Sequence, residues 1–151
     1  MSQDPREKIG FELIRAARLW ITKLDERFTP LGLTQARWSI LLTLSKVGGV
    51  IPQKDLAEII GVEGPTVVRV LDGMERLGLI ERRGHDKDRR LKIVHLTPQA
   101  EKLQEGILCI AAELLEDILS GISGEDIAVC ERVISTMLAN MGFSNRLGLN
   151  P

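Results

Sequence analysis

The residues best suited to chemistry lie in one arginine-rich stretch, Gly84-His85-Asp86-Lys87-Asp88-Arg89-Arg90. Guanidinium groups present paired N–H donors to phosphate oxygens and to guanine edges, so such a tip suits a nucleic-acid backbone or groove. Upstream, Pro65-Thr66-Val67-Val68-Arg69 places a hydroxyl, branched methyl groups and another guanidinium within five residues. On a helix whose first turn enters the major groove, Thr66 can bond a base edge or a phosphate, and Val68 can touch a thymine methyl. Arg69 can fork onto O6 and N7 of guanine or hold a phosphate, and the residues leave both roles open. The two histidines, His85 and His95, both fall in the hairpin region, with no nucleophile positioned beside them. Neither a glycine-rich phosphate loop nor a zinc-ligand spacing is present. The expectation is a DNA-binding protein, not an enzyme, with no metal and no cofactor.

Charge is distributed to match. The net charge of −1 hides six basic residues between Arg82 and Lys92 (Arg82, Arg83, Lys87, Arg89, Arg90, Lys92) against Asp86 and Asp88. From Pro98 to Phe143 only Lys102 and Arg132 face eight acids. A polyanion is drawn to the first region and repelled by the second. That asymmetry argues against a merely solvated charge run at the tip.

These side chains need elements to position them. Ala57, Gly61 and Val67 have the spacing of a helix-turn-helix: a small residue at the crossing, a glycine for a positive-φ turn, and an aliphatic packing back. Pro52 suits the first position of a helix over 53–60, and Gly64-Pro65 opens a second that runs to Leu77 and stops at Gly78. Val67, Leu71, Met74 and Leu77 form its expected buried stripe, leaving Thr66, Val68, Arg69, Asp72 and Arg76 on other faces. Short strands are expected at 79–82 and 91–96, flanking the charged tip.

Helices bracket this lobe. Ile9, Leu13, Ala16, Ala17, Trp20, Leu24 and Phe28 recur at helical steps over 8–28, and Thr34 reads as the N-cap of a helix with Trp38, Leu41, Leu42 and Val47 inward. Thr97-Pro98 opens another, in which Leu108, Leu115 and Leu119 widen the stripe of Leu103, Ile107, Ile110, Ala111, Leu114 and Ile118. That surface exceeds what one neighbouring helix covers, so a second subunit or a large monomeric core is required. An aspartate at Leu114 is expected to break such a dimer. Ser123 and Asp126 have capping-box spacing before a last apolar helix, and residues after Phe143 lack periodicity.

At 151 residues, 44% hydrophobic and 3% aromatic with no Tyr, the chain supports one domain with an aliphatic core. Cys109 and Cys130 sit in apolar helical patterns and are expected to be small buried hydrophobes. No stretch approaches the ~20 apolar residues of a membrane span. The polar N-terminus, Met1 to Lys8, is unlike a signal peptide. The expectation is a soluble cytoplasmic protein at the nucleoid, with no membrane partner.

In its order of elements the chain resembles the MarR family of bacterial transcription regulators over nearly its whole length. The most specific likeness is the wing, Asp88-Arg89-Arg90 followed by Ile93-Val94-His95-Leu96-Thr97. Arg15-Ala16-Ala17-Arg18-Leu19-Trp20, Leu33-Thr34-Gln35 with Trp38, and Pro65-Thr66-Val67-Val68-Arg69 are most similar to the SlyA branch. The resemblance implies a mostly α fold with a small β-hairpin: a winged helix-turn-helix in an intertwined, triangular helical homodimer. It divides the chain into an N-terminal dimerisation helix (1–33), a DNA-binding lobe (34–97), C-terminal dimerisation helices (98–143) and a tail (144–151).

On that frame Pro65, Thr66, Val68 and Arg69 face the major groove, while Lys87 and Arg89 contact phosphates. Arg90 enters a narrow A·T-rich minor groove, where negative potential is concentrated. The family likeness gives Asp88 the role of holding a wing arginine through a bidentate pair. A two-fold dimer implies a palindromic operator with half-sites roughly 10 bp apart. Relatives commonly release DNA when small aromatic acids bind between lobe and dimer region, which by position implicates Arg15, Arg18, Trp20 and Trp38. Both tryptophans also fall on apolar stripes, so core packing is the alternative. Peroxide-sensing relatives use an N-terminal cysteine supported by tyrosines, which this chain lacks. The family is mostly repressive, so the resemblance implies a repressor. An architectural DNA-binding protein, a regulator without a ligand and a protein–protein adaptor are the alternatives.

Overall fold

The computed structural model describes residues 4–144, so the expected tail lies outside the described residues apart from Ser144. Helix α1 (Pro5–Phe28) begins behind Asp4, whose Oδ1 accepts the Arg6 N–H at 2.9 Å, with proline in the first turn where no backbone donor is needed. It starts three residues before the expected Lys8. Only its last turns bury side chains, at Leu24 and Phe28.

A 3-10 turn (Thr29–Leu31) leads to α2 (Gln35–Lys46), capped as expected by Thr34, whose hydroxyl accepts the Arg37 N–H. Such a cap contributes about 1 kcal/mol. Trp38, Ile40, Leu41 and Leu44 point into the core. The Trp38 ring lies 5.5 Å from Phe28, and its indole N–H donates to Asp25 Oδ1 at 3.1 Å, so this buried polar atom is satisfied.

Strand β1 (Val50–Pro52) was not expected. It pairs antiparallel with β3 (Lys92–Leu96), which pairs on its other side with β2 (Ile80–Gly84), giving the sheet order β1-β3-β2. Pro52 ends β1 and caps α3 (Gln53–Ile60) from outside, so it is not the first helical residue; its extended φ/ψ continues the strand. Gly61 turns the chain with φ +67° into α4 (Gly64–Arg76), which buries Val67, Leu71 and Met74. Leu77 is exposed rather than buried, because the helix ends there and Leu77 serves as its C-cap. Gly78 follows at φ +71°.

Thr97 closes the lobe. Its hydroxyl accepts the Ala100 N–H at the start of α5 (Pro98–Ile118) and donates to the Gly78 carbonyl at 2.6 Å. Helix α5 packs against α1 and α2, with Ile107 and Leu114 in the common core. Gln104 Nε2 donates to the Leu41 carbonyl at 3.1 Å, and Arg27 pairs with Asp117 at 2.9 Å. Leu114, expected at a subunit boundary, is only 3% exposed within the single chain. Leu108 and Leu115 carry the surplus instead.

Helix α6 (Gly124–Asn140) buries no side chain. Ser123 caps it by accepting the Asp126 N–H, while the Asp126 carboxylate accepts the Ser123 hydroxyl; the shorter aspartate bonds the serine side chain in place of the backbone N–H used in a capping box. Cys109 and Cys130 are exposed, not buried: Cys109 lies off the Ile107–Leu114 stripe that α5 buries, and α6, which carries Cys130, buries nothing. Among the described residues no helix is long and apolar enough to cross a membrane.

Candidate nucleic-acid interface

The site grows from two local constructions. Helix α4 begins outside the core, so Pro65, Val68 and Arg69 are exposed and Thr66 is half-buried, while Val67 in the same turn anchors the helix inward. Arg69 makes no ion pair or side-chain hydrogen bond among the described residues and is free to meet a ligand.

The wing is the second construction. Its tip is closed by His85 N–H to the Leu91 carbonyl (2.9 Å), Asp88 N–H to the His85 carbonyl (3.2 Å) and Leu91 N–H to the Asp88 carbonyl (3.0 Å). His85 Nδ1 accepts the Lys87 N–H at 3.1 Å. Asp88 Oδ1 accepts the Arg90 backbone N–H at 3.0 Å and lies 3.9 Å from its Nε, so the carboxylate orders the turn rather than clamping the guanidinium bidentately. The Arg90 side chain is 97% exposed. Lys87, Arg89 and Lys92 are exposed as well.

The two constructions share a groove. Gly64 and Val67 of α4, Gln53 and Lys54 of α3, and Arg90 and Lys92 of the wing line one open depression. Three elements distant in sequence thus converge on a surface that carries cations. That arrangement suits a polyanion whose backbone passes between helix and wing.

A model of the MarR family matches residues 31–91. The crystal structure of transcriptional regulator PA3341 superposes with a TM-score of 0.83 at 42% identity, covering 89% of this chain and 98% of that one. The chain belongs to the MarR family. It is a transcriptional regulator with the family's winged-helix fold. The chain is also similar in fold to NadR solved in complex with 4-hydroxyphenylacetate (TM-score 0.78, 24% identity, 91% and 95% covered). A variant of MarR from E. coli, solved with operator DNA, shares the fold as well (TM-score 0.73, 20% identity, 87% and 94% covered).

Within this MarR-family lobe, two of the six wing cations, besides the loosely paired Arg90, meet an acid at hydrogen-bond distance. Arg83 pairs with Glu81 at 2.7 Å. Arg82 folds back onto α4: its backbone N–H donates to Glu75 Oε1 (3.1 Å), its Nε and Nη2 donate to Glu75 Oε2 (3.2 and 2.8 Å), and Nη2 also bonds Asp72. Burial pulls the Arg82 pKa down, and its hydrogen bonds to the Glu75 and Asp72 carboxylates, with their negative charge, outweigh it, so the net shift is upward. The Glu75 carboxyl is held below its ordinary value, first by the Arg82 side chain and then by the Arg82 backbone N–H. Charge counting along the sequence missed this cluster. The only available signal was Asp72 and Glu75 at i, i+3 on one helix face.

The four residues suggested for an aromatic acid are not gathered. Arg15, paired with Glu12 at 3.8 Å, and Arg18 line a shallow groove with Phe11, Ile14 and Leu19 on the outer side of α1. Trp38 is a core residue bonded to Asp25, and Trp20 is half-buried against the same core.

Proposed function

We propose that this MarR-family regulator acts as a homodimeric repressor that reads a palindromic operator. The observation that carries the reading is the shared groove, flanked by the start of α4 and by Arg90. Pro65, Thr66, Val68 and Arg69 then meet the major groove, Lys87 and Arg89 hold phosphates, Asp88 orders the turn, and Arg90 enters the minor groove. The lobe corresponds to 34–97, with 1–33 and 98–143 serving dimerisation and the nucleoid as the site of action. The dimer reading is supported by exposed apolar side chains on α1 (Ile9, Phe11, Ile14, Leu19), α5 (Leu108, Leu115) and α6 (Val129, Val133, Ile134, Leu138). Exposed surface of that extent requires a partner of like chemistry, and a second copy supplies it.

Placement in the SlyA branch rests on the motifs around Arg15–Trp20, Trp38 and Pro65–Arg69. Control by a small aromatic carboxylate rests on the exposed guanidinium groups of Arg15 and Arg18, which suit a carboxylate, with Trp20 and Trp38 as the aromatic residues expected with them. The neighbour NadR was solved with 4-hydroxyphenylacetate, a ligand of this class.

One experiment tests the reading: binding to the gene's own upstream DNA against scrambled competitor at fixed salt, with and without salicylate. Selective binding lost on adding the acid supports ligand-controlled repression. Selective binding that persists removes this ligand and leaves the regulator. Equal binding to scrambled DNA favours the architectural alternative.

A further inference from the structure

We propose that Arg82, held by Asp72 and Glu75, fixes the angle of the wing against α4, so that Arg90 reaches the minor groove while α4 lies in the major groove. The proposal rests on the wing reading above and adds to it the residues that set the geometry.

The wing tip is ordered by its own hydrogen bonds, so it moves as a unit with β2 and β3. Its orientation is therefore decided at its root. Strand β2 is an edge strand with β3 on one side, and α4 packs against it. At that root Arg82 joins the two elements through its backbone N–H, Nε and Nη2, using both oxygens of Glu75 and one of Asp72. A forked donor held at several points fixes orientation as well as distance.

Exposure separates this arginine from its neighbours. The Arg82 side chain is 18% exposed, against 63% for Arg83 and 97% for Arg90. Leverage makes the root matter. At ~3.3 Å per strand residue, the tip stands on the order of 10 Å beyond Arg82, so a tilt of about 10° moves it by roughly 2 Å. A shift of that size breaks a hydrogen bond.

The opposing view treats Arg82 as one more phosphate contact that the two acids happen to hold in the free protein. Charge distinguishes the views. Removing an acid from a DNA-facing lobe normally strengthens DNA binding. If Asp72 and Glu75 position the wing, removing either weakens it.

The test uses the full chain and a duplex that it recovers from a randomised pool, with affinities measured at fixed salt for Glu75→Gln, Asp72→Asn, Arg90→Ala and each acid variant combined with Arg90→Ala. The expected result is a loss of about tenfold for Glu75→Gln alone, and less than about twofold when Arg90 is already alanine, because coupled residues are not additive. Thermal melts confirm that each variant is folded. Binding by Glu75→Gln and Asp72→Asn that equals or exceeds wild type overturns the proposal, as does a full, additive loss in the Arg90→Ala background. Unchanged binding by Arg90→Ala alone overturns the wing reading and this proposal with it. A normal Arg90→Ala loss with additive acid variants overturns the positioning role only.

Discussion

The DNA-facing lobe and the terminal helices solve opposite problems. Between α2 and β3 the chain finishes its own core: Leu41, Leu44, Ile51, Leu56, Leu71, Met74, Ile80 and Val94 are all buried, and the wing it leaves outside exposes Lys87, Arg89, Arg90 and Lys92. In α1 and α6 the reverse holds. Phe11 is 79% exposed, and α6 buries nothing. The lobe turns its wing cations outward, which suits a polyanion, whereas the terminal helices turn apolar surface outward, which the proposed dimer would cover. Helix α5 belongs to both regions, with Leu114 committed to the chain's own core and Leu115, the next residue, left outside it.

The harshest way to break this division is at Leu114. Aspartate there loses a buried leucine and places an unpaired carboxylate in the core, which together cost several kcal/mol. The expected outcome is loss of the cooperative melt in circular dichroism. A folded variant that merely sediments as a monomer would return Leu114 to the subunit boundary. Ile134→Asp strikes the other region. The lobe should stay folded while sedimentation mass falls to that of one chain, since a lone charge on a buried interface costs a few kcal/mol.

Arg90→Ala sharpens the comparison from the DNA side. It removes no core contact, so the melt and the sedimentation mass should match wild type, while DNA affinity falls by about 1–3 kcal/mol. Titration of one labelled duplex with both proteins checks it; equal curves would exclude Arg90 from the interface.

The lobe was readable because its signals are local. Gly61, Gly64-Pro65 and Gly78 punctuate α3 and α4 within a few residues of where they act. Strand β1 was not readable: three residues are too few to show alternation, and it exists because β3 offers a free edge. Periodicity showed the full width of the α5 stripe. It could not divide that width between Leu114 and Leu115, because the division depends on where α1 and α2 lie. Counting arginines likewise could not separate Arg82 from Arg90. Their difference is made by Asp72 and Glu75, ten and seven residues before Arg82 and across a helix–strand corner.

The smallest expected effect is also the most specific to that corner. In the folded chain the Glu75 carboxyl is held below the ordinary glutamate range, chiefly by its hydrogen bond to the Arg82 side chain. A carboxylate whose folded pKa is depressed adds stability above its unfolded pKa, and that stability disappears as pH falls through the folded value. The Glu75 side chain is 40% exposed, so solvent screens the pair and the contribution is modest. Glu75→Gln should therefore melt slightly below wild type at neutral pH, with the gap closing as the pH falls below the ordinary glutamate range and through the depressed folded value. Added salt should narrow the neutral-pH gap as well, since partly exposed pairs are screened. The absence of any gap at neutral pH would mean that Glu75 acts through the shape of its side chain, which glutamine keeps, and not through its charge. The wing would then be set by packing of β2 on α4, with Arg82 filling space rather than fixing an angle.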